Sequence, residues 1–229
     1  MALPKLNETP KYELKIPSTG KKVKFRPYLV KEEKILLMAA ESGDQNQIMN
    51  AIMDTVDACI PGEVCSNLST FDIEYIFVQL RAKSVGEISK IGYKCVECGT
   101  QNECDLNLEK VVCKVPKKSN IIKISDDISV EMRYPSYGGI SFSNDETEMG
   151  FEVLSSCIEA VLTQEERIVV ADEPKESVRD FLESMSKQQF EAISEFLIDM
   201  PQVKYDLKFD CENCSHHNEV EITGIQNFF

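Results

Sequence analysis

The sequence has no tryptophan and only two histidines, the adjacent His216 and His217. That leaves little material for histidine-based acid–base chemistry. Basic residues are also scarce. There are 25 Lys and Arg against 39 Asp and Glu, a net charge of −14. A surface this acidic repels phosphates and argues against nonspecific nucleic-acid binding. No apolar run reaches the roughly 20 residues that cross a bilayer. The opening Met1-Ala-Leu-Pro-Lys-Leu-Asn-Glu lacks the apolar stretch of a secretory signal, so a cytosolic setting is expected. The phosphate-binding loop, Gly-x-Gly-x-x-Gly, the nucleophile elbow and His-Glu-x-x-His are all missing. Paired acids such as Glu165-Glu166 and Asp126-Asp127 read as solvated faces, and no catalytic residue is expected. What is present is ordinary for a soluble protein: 229 residues, 42% apolar and 28% charged. That length buries a real core in one or two domains.

Charge is unevenly placed. Residues 1–40 carry nine basic and four acidic side chains, and residues 141–229 carry six and twenty. The basic start, with Lys21, Lys22, Lys24 and Arg26, reads first as a solvated hairpin face. Opposite charge at the two ends also suits steering between protein partners.

Period and punctuation give the elements. Tyr12-Glu-Leu-Lys-Ile-Pro alternates as a half-buried strand does. Ser18-Thr-Gly-Lys is a turn, and Lys22-Val-Lys-Phe-Arg-Pro returns. Helices are expected from about Val30 to Gly43, from Gln45 to Ala58, and from a cap at Ser69 or Thr70 to about Ser84. Strands follow at Ile121–Ile124 and Ile128–Met132. A loop covers Tyr134–Gly139, a helix Glu146–Leu162, and a short strand begins at Arg167. A helix starts near Lys175. Ser186 with Gln189 forms a capping box for another that stops before Pro201. The end reads as two strands, the last closing on Asn227-Phe-Phe.

Nine cysteines are an odd number, and a reducing setting does not favour a disulfide framework. Four of them form two pairs, Cys95-Val-Glu-Cys98 and Cys211-Glu-Asn-Cys214. Cys59, Cys65, Cys104, Cys113 and Cys157 follow no ligand spacing and read as small packed residues. The two pairs have matching surroundings. An aromatic residue, Tyr93 or Phe209, sits two before the first Cys. A small residue, Gly99 or Ser215, follows the second. Asn-Glu comes next at 102–103 and 218–219, then an apolar residue at 106 and 222. Each unit reads as a strand, a tight turn between two thiolates and a second strand, the form of a zinc knuckle. Zinc takes four ligands, so two knuckles make one closed, structural site with Cys95, Cys98, Cys211 and Cys214. Residues 99–210 lie between them, far beyond the spacing of a simple ribbon. The flank similarity therefore argues for a ribbon split by an inserted domain. Two separate metal-free knuckles, zinc shared between chains, and a thiol–disulfide role remain as alternatives. His216 and His217 read as exposed turn residues, and Cys104 as a packed strand position.

The chain also resembles a known family. The residues that carry the likeness are Leu3-Pro-Lys-Leu, Tyr12-Glu-Leu-Lys-Ile-Pro-Ser-Thr-Gly-Lys and Arg26-Pro-Tyr-Leu-Val-Lys-Glu-Glu-Lys-Ile-Leu-Leu. With them go Phe71-Asp-Ile-Glu-Tyr-Ile-Phe-Val-Gln-Leu-Arg-Ala-Lys-Ser-Val-Gly, Met200-Pro, Cys211-x-x-Cys214 and the closing Gly224-Ile-Gln-Asn-Phe-Phe. They are similar to the baseplate hub subunit family of T4-like contractile-tailed phages. The resemblance implies a non-enzymatic hub component or hub-assembly chaperone, with other tail proteins as partners. Its place would be the virion tail baseplate or the host cytoplasm during assembly. Ser215 stands where that family often has glycine.

Three domains are expected within an α+β fold. They are a hairpin and helical domain over 1–90, two zinc-ribbon halves over 91–112 and 203–229, and an inserted mixed domain over 113–202. Two other functional classes stay open: a zinc-ribbon nucleic-acid-binding module, disfavoured by Glu97, Glu103, Asp210, Glu212 and Glu219 around the knuckles, and a Cys-x-x-Cys redox protein.

Overall fold

The computed structural model describes residues 10–62, 65–137 and 146–228. The chain divides into two compact units. One comprises 1–65, 71–114 and 202–229, the other 66–70 and 115–201.

The first unit opens with strands β1 (Tyr12–Lys15) and β2 (Lys22–Phe25), paired antiparallel with Leu14 opposite Val23. Their apolar residues Leu14, Val23 and Phe25 are buried. The turn between them is tied down by Asp72, which accepts hydrogen bonds from the Ser18 backbone N–H (2.9 Å) and hydroxyl (2.5 Å). Helices α1 (Val30–Ser42), α2 (Gln45–Cys59) and α3 (Thr70–Ser84) follow where the apolar periodicity placed them. Gly43, in left-handed backbone at φ +66°, ends α1. The Asp44 carboxylate then caps α2 by accepting from the Asn46 and Gln47 amides.

Two hairpins complete this unit. One is β3 (Ile88–Lys94) with β4 (Gln101–Asn107). The other is β10 (Val203–Asp210) with β11 (His217–Thr223). A two-residue strand, β5 (Val112–Cys113), joins β10 at Val203 and Lys204. Alternation turns Leu106, Leu207 and Ile222 inward, where they meet Val78 and Ala82 of α3 in one core.

The second unit holds an antiparallel sheet in the order β6 (Ile121–Lys123), β7 (Ser129–Met132), β8 (Ile158–Leu162) and β9 (Arg167–Val169). Helices α4 (Glu146–Ser156), α5 (Lys175–Glu183) and α6 (Lys187–Ile198) accompany it. Leu154, Leu182 and Ile193 pack with Val130, Met132 and Ile158 in its core. Ser186 and Gln189 form the expected reciprocal cap of α6.

Two expectations are corrected. The helix over 146–162 stops at Ser156, and Ile158–Leu162 is instead the strand β8, paired with β7. The final strand ends at Thr223. Gly224 takes φ +82°, and a 3-10 turn, Ile225–Phe228, carries Phe228 into the core at 1% exposure. Of the loop expected over Tyr134–Gly139, residues 138 and 139 lie outside the described residues, as do Leu3-Pro-Lys-Leu at the start and Phe229. The remaining pattern is the expected α+β class: an N-terminal hairpin, helices, and a four-cysteine cluster split in sequence.

Candidate metal centre

Each knuckle is built by its own hairpin. At the tip of β3–β4, Cys95 N–H donates to the Thr100 carbonyl and Gly99 N–H to the Cys95 carbonyl, both at 2.9 Å. At the tip of β10–β11, Cys211 N–H donates to the His216 carbonyl and Ser215 N–H to the Cys211 carbonyl, again both at 2.9 Å. The residue after the second Cys is left-handed in both, Gly99 at φ +72° and Ser215 at φ +57°. That explains the small residue there. Ser215 is the one non-glycine with positive φ among the described residues. The ladders match too: Tyr93 lies opposite Asn102, and Phe209 opposite Asn218. The two aromatic rings meet edge-on at 6.3 Å between centroids.

The hairpins bring all four thiols together. Their sulfurs lie within 4.8 Å of one another. Cys95 Sγ is 3.7 Å from Cys214 Sγ, and Cys98 Sγ is 3.6 Å from Cys211 Sγ, so each of these contacts joins one knuckle to the other. A Zn–S bond of about 2.3 Å in a tetrahedron requires sulfurs about 3.8 Å apart. A disulfide requires about 2 Å, and the cysteines are free. Cys95 and Cys211 are buried, while Cys98 and Cys214 reach the surface. The donor set and its spacing fit a soft, four-coordinate cation.

Two residues of the centre escape a reading that looks only for ligands. Asn102 and Asn218 are 3% and 0% exposed. Asn102 donates to the Thr100 carbonyl of its own knuckle (2.8 Å) and accepts from the Glu212 amide of the other (3.0 Å). Asn218 does the mirror of this, donating to His216 carbonyl (2.9 Å) and accepting from Val96 amide (3.0 Å). It also approaches Cys95 Sγ at 3.6 Å. The matched Asn-Glu of the two flanks is the sequence signal of this reciprocal clasp.

Hydrogen bonds from the Thr100 hydroxyl and backbone bring the Cys98 thiol down to about 5. At Cys214 the His216 backbone favours the thiolate, but the neighbouring thiols and burial outweigh it, and its pKa rises to about 12. Thiols so close together resist shared ionisation, and a divalent cation removes that resistance. Burial pushes Cys59 and Cys157 up to about 11, and Cys113 up to about 12. These three and Cys104 pack as apolar residues, as expected. His217 is exposed in β11. Its Nδ1 contacts Asp210 at 2.7 Å, and that partner raises its pKa. Lys90 and Lys208 of these hairpins pair across their ladders with Glu103 and Glu219.

The fold and the centre define a protein whose two hairpin knuckles, far apart in sequence, share one four-cysteine cluster. The sequence profile of the family described as T4 bacteriophage base plate protein matches residues 9–229, and the chain belongs to that family. No curated protein and no solved structure matches it.

Proposed function

We propose that this protein is a non-enzymatic component of the phage baseplate hub or a factor that assembles it, acting through protein contacts. Family membership over nearly the whole chain carries this reading. The thiol cluster supports a structural role. A tetrahedral site filled by four cysteines leaves no open position for water or substrate. In this reading Cys95, Cys98, Cys211 and Cys214 hold one zinc, which ties the two hairpins of the first unit together. Residues 113–202 are then a domain inserted between the ribbon halves. The paired, adjacent course of β5 and β10, where the chain leaves and returns, supports that.

The partners are other tail proteins rather than nucleic acid, in keeping with the charge of −14. Among the described residues no helix is long and apolar enough to cross a membrane. Mass spectrometry of purified virions and of tail intermediates from infected cells tests the role. Presence in mature tails makes the protein a component, and presence in intermediates alone makes it an assembly factor. Absence from both defeats the proposal. Elemental analysis tests the metal, with one zinc per chain expected.

A further inference from the structure

The register of β10 leaves half of it open. β11 covers β10 from Lys204 to Asp210, but β5 covers only Val203 and Lys204. From Tyr205 to Asp210 the other edge has no strand partner among the described residues. Successive residues of an antiparallel strand turn their backbone groups to opposite sides. Cys211 N–H bonds to His216 on the β11 side, and the register runs unbroken into it. Asp206, Lys208 and Asp210 therefore turn their amides and carbonyls to the open edge. Such an edge is a template for a further strand.

Lysine side chains gather beside this edge. A groove of about 760 Å³ is lined by Lys110, Lys114, Lys204 and Lys208, with the exposed Val112 and the half-buried Tyr205 between them. Against them stand Asp206 and Glu221. Lys204 and Lys208 are paired with Glu221 and Glu219 on β11. No ion pair engages Lys110 or Lys114 among the described residues. Lys110 and Lys114 are therefore the two basic groups here whose charge no ion pair offsets, on a chain of net charge −14.

We propose that the open edge of β10 accepts an extended, acidic segment of a partner protein as an added strand. Backbone pairing would supply affinity, and Lys110 and Lys114 would select for carboxylates. The proposal deepens the protein-contact role above and rests on it.

The test uses the full chain and a fluorescent peptide of about seven residues, enough to span the edge, with Val and Glu alternating. Fluorescence anisotropy should show binding that weakens with salt. The same peptide with Lys in place of Glu should not bind. A Lys110→Glu/Lys114→Glu double variant should bind about tenfold or more weakly. Both residues are exposed, and an unchanged circular dichroism spectrum checks the fold. N-methylation of every second peptide amide should abolish binding in one phase and spare it in the other. Hydrogen exchange should slow at Asp206, Lys208 and Asp210 when the acidic peptide binds.

Equal binding of both peptides, full binding by the double variant, or protection elsewhere overturns the proposal. So does a dimer of the free protein already protected at these amides, because the occupant is then a second copy. None of these results bears on whether the protein is found in tails, so the two readings fail separately.

Discussion

Asn102 and Asn218 sit in equivalent places on the two knuckles, and each fastens its own hairpin to the other. Removing either amide leaves a part-buried backbone N–H, that of Glu212 or of Val96, without its acceptor. Such a loss costs about 1 kcal/mol. Asn102→Ala and Asn218→Ala should therefore lower the melting temperature by several degrees, and by similar amounts. Two unchanged melting curves would show that the clasp contributes nothing. The left-handed position gives a second comparison. A Cβ on Gly99 would meet nothing within 4 Å, so the cost of Gly99→Ala is conformational alone. Gly99→Ala should destabilise by about 1 kcal/mol, and Ser215→Gly should stabilise by a like amount. Denaturant midpoints measure both. At this scale the cysteines and the Asn-Glu repeat were legible, because they are local spacings. The role of each Asn was not, because its partner lies more than a hundred residues away.

Among the elements, helices with a cap and a clear stop were legible. α1 and α2 are separated by Gly43 and Asp44, and α6 is announced by Ser186 and Gln189. The run after α4 was not. Leu154, Cys157, Ile158 and Ala160 are all buried, and a short apolar run fits either a helix or a central strand. Pairing with β7 decides for a strand, and that pairing is tertiary information. β5 is two residues long and has no pattern of its own.

The junction of the first hairpin with α1 depends on Glu32, which is 4% exposed. Burial alone would raise its pKa. Hydrogen bonds from Arg26, the Leu29 amide and Lys31 together overcome this and hold it below the usual carboxylate value. A depressed carboxyl stabilises the fold above its unfolded pKa, and the contribution is lost as pH falls through the folded one. Melting temperature should thus decline on acidification below about pH 4.5. Glu32→Gln should be less stable at neutral pH and less sensitive to acid. An identical acid slope in the variant would remove Glu32 from the account.

At the scale of the whole molecule, the four thiols belong entirely to the first unit. Calorimetry with a zinc chelator should lower the unfolding transition of that unit and leave that of residues 115–201 in place. Cys98→Ser and Cys214→Ser should each mimic the chelator, and comparably, since either leaves three ligands. Full zinc stoichiometry in both variants would contradict a shared site. Charge asymmetry was legible at this scale by counting. The concentration of lysines beside β10 was not, because Lys110 and Lys114 meet Lys204 and Lys208 only through the pairing of β5.

The separation of the knuckles also sets an order in time. Cys98 and Cys211 are 113 residues apart. At about 5–20 residues per second, roughly 6–23 seconds of synthesis separate the two halves of the centre. Through that interval the first hairpin is already made, with two thiols waiting and its clasp unmet. The fourth thiol is made only after residues 99–210 have followed the first pair, so the cluster cannot close until the whole intervening segment has been synthesised.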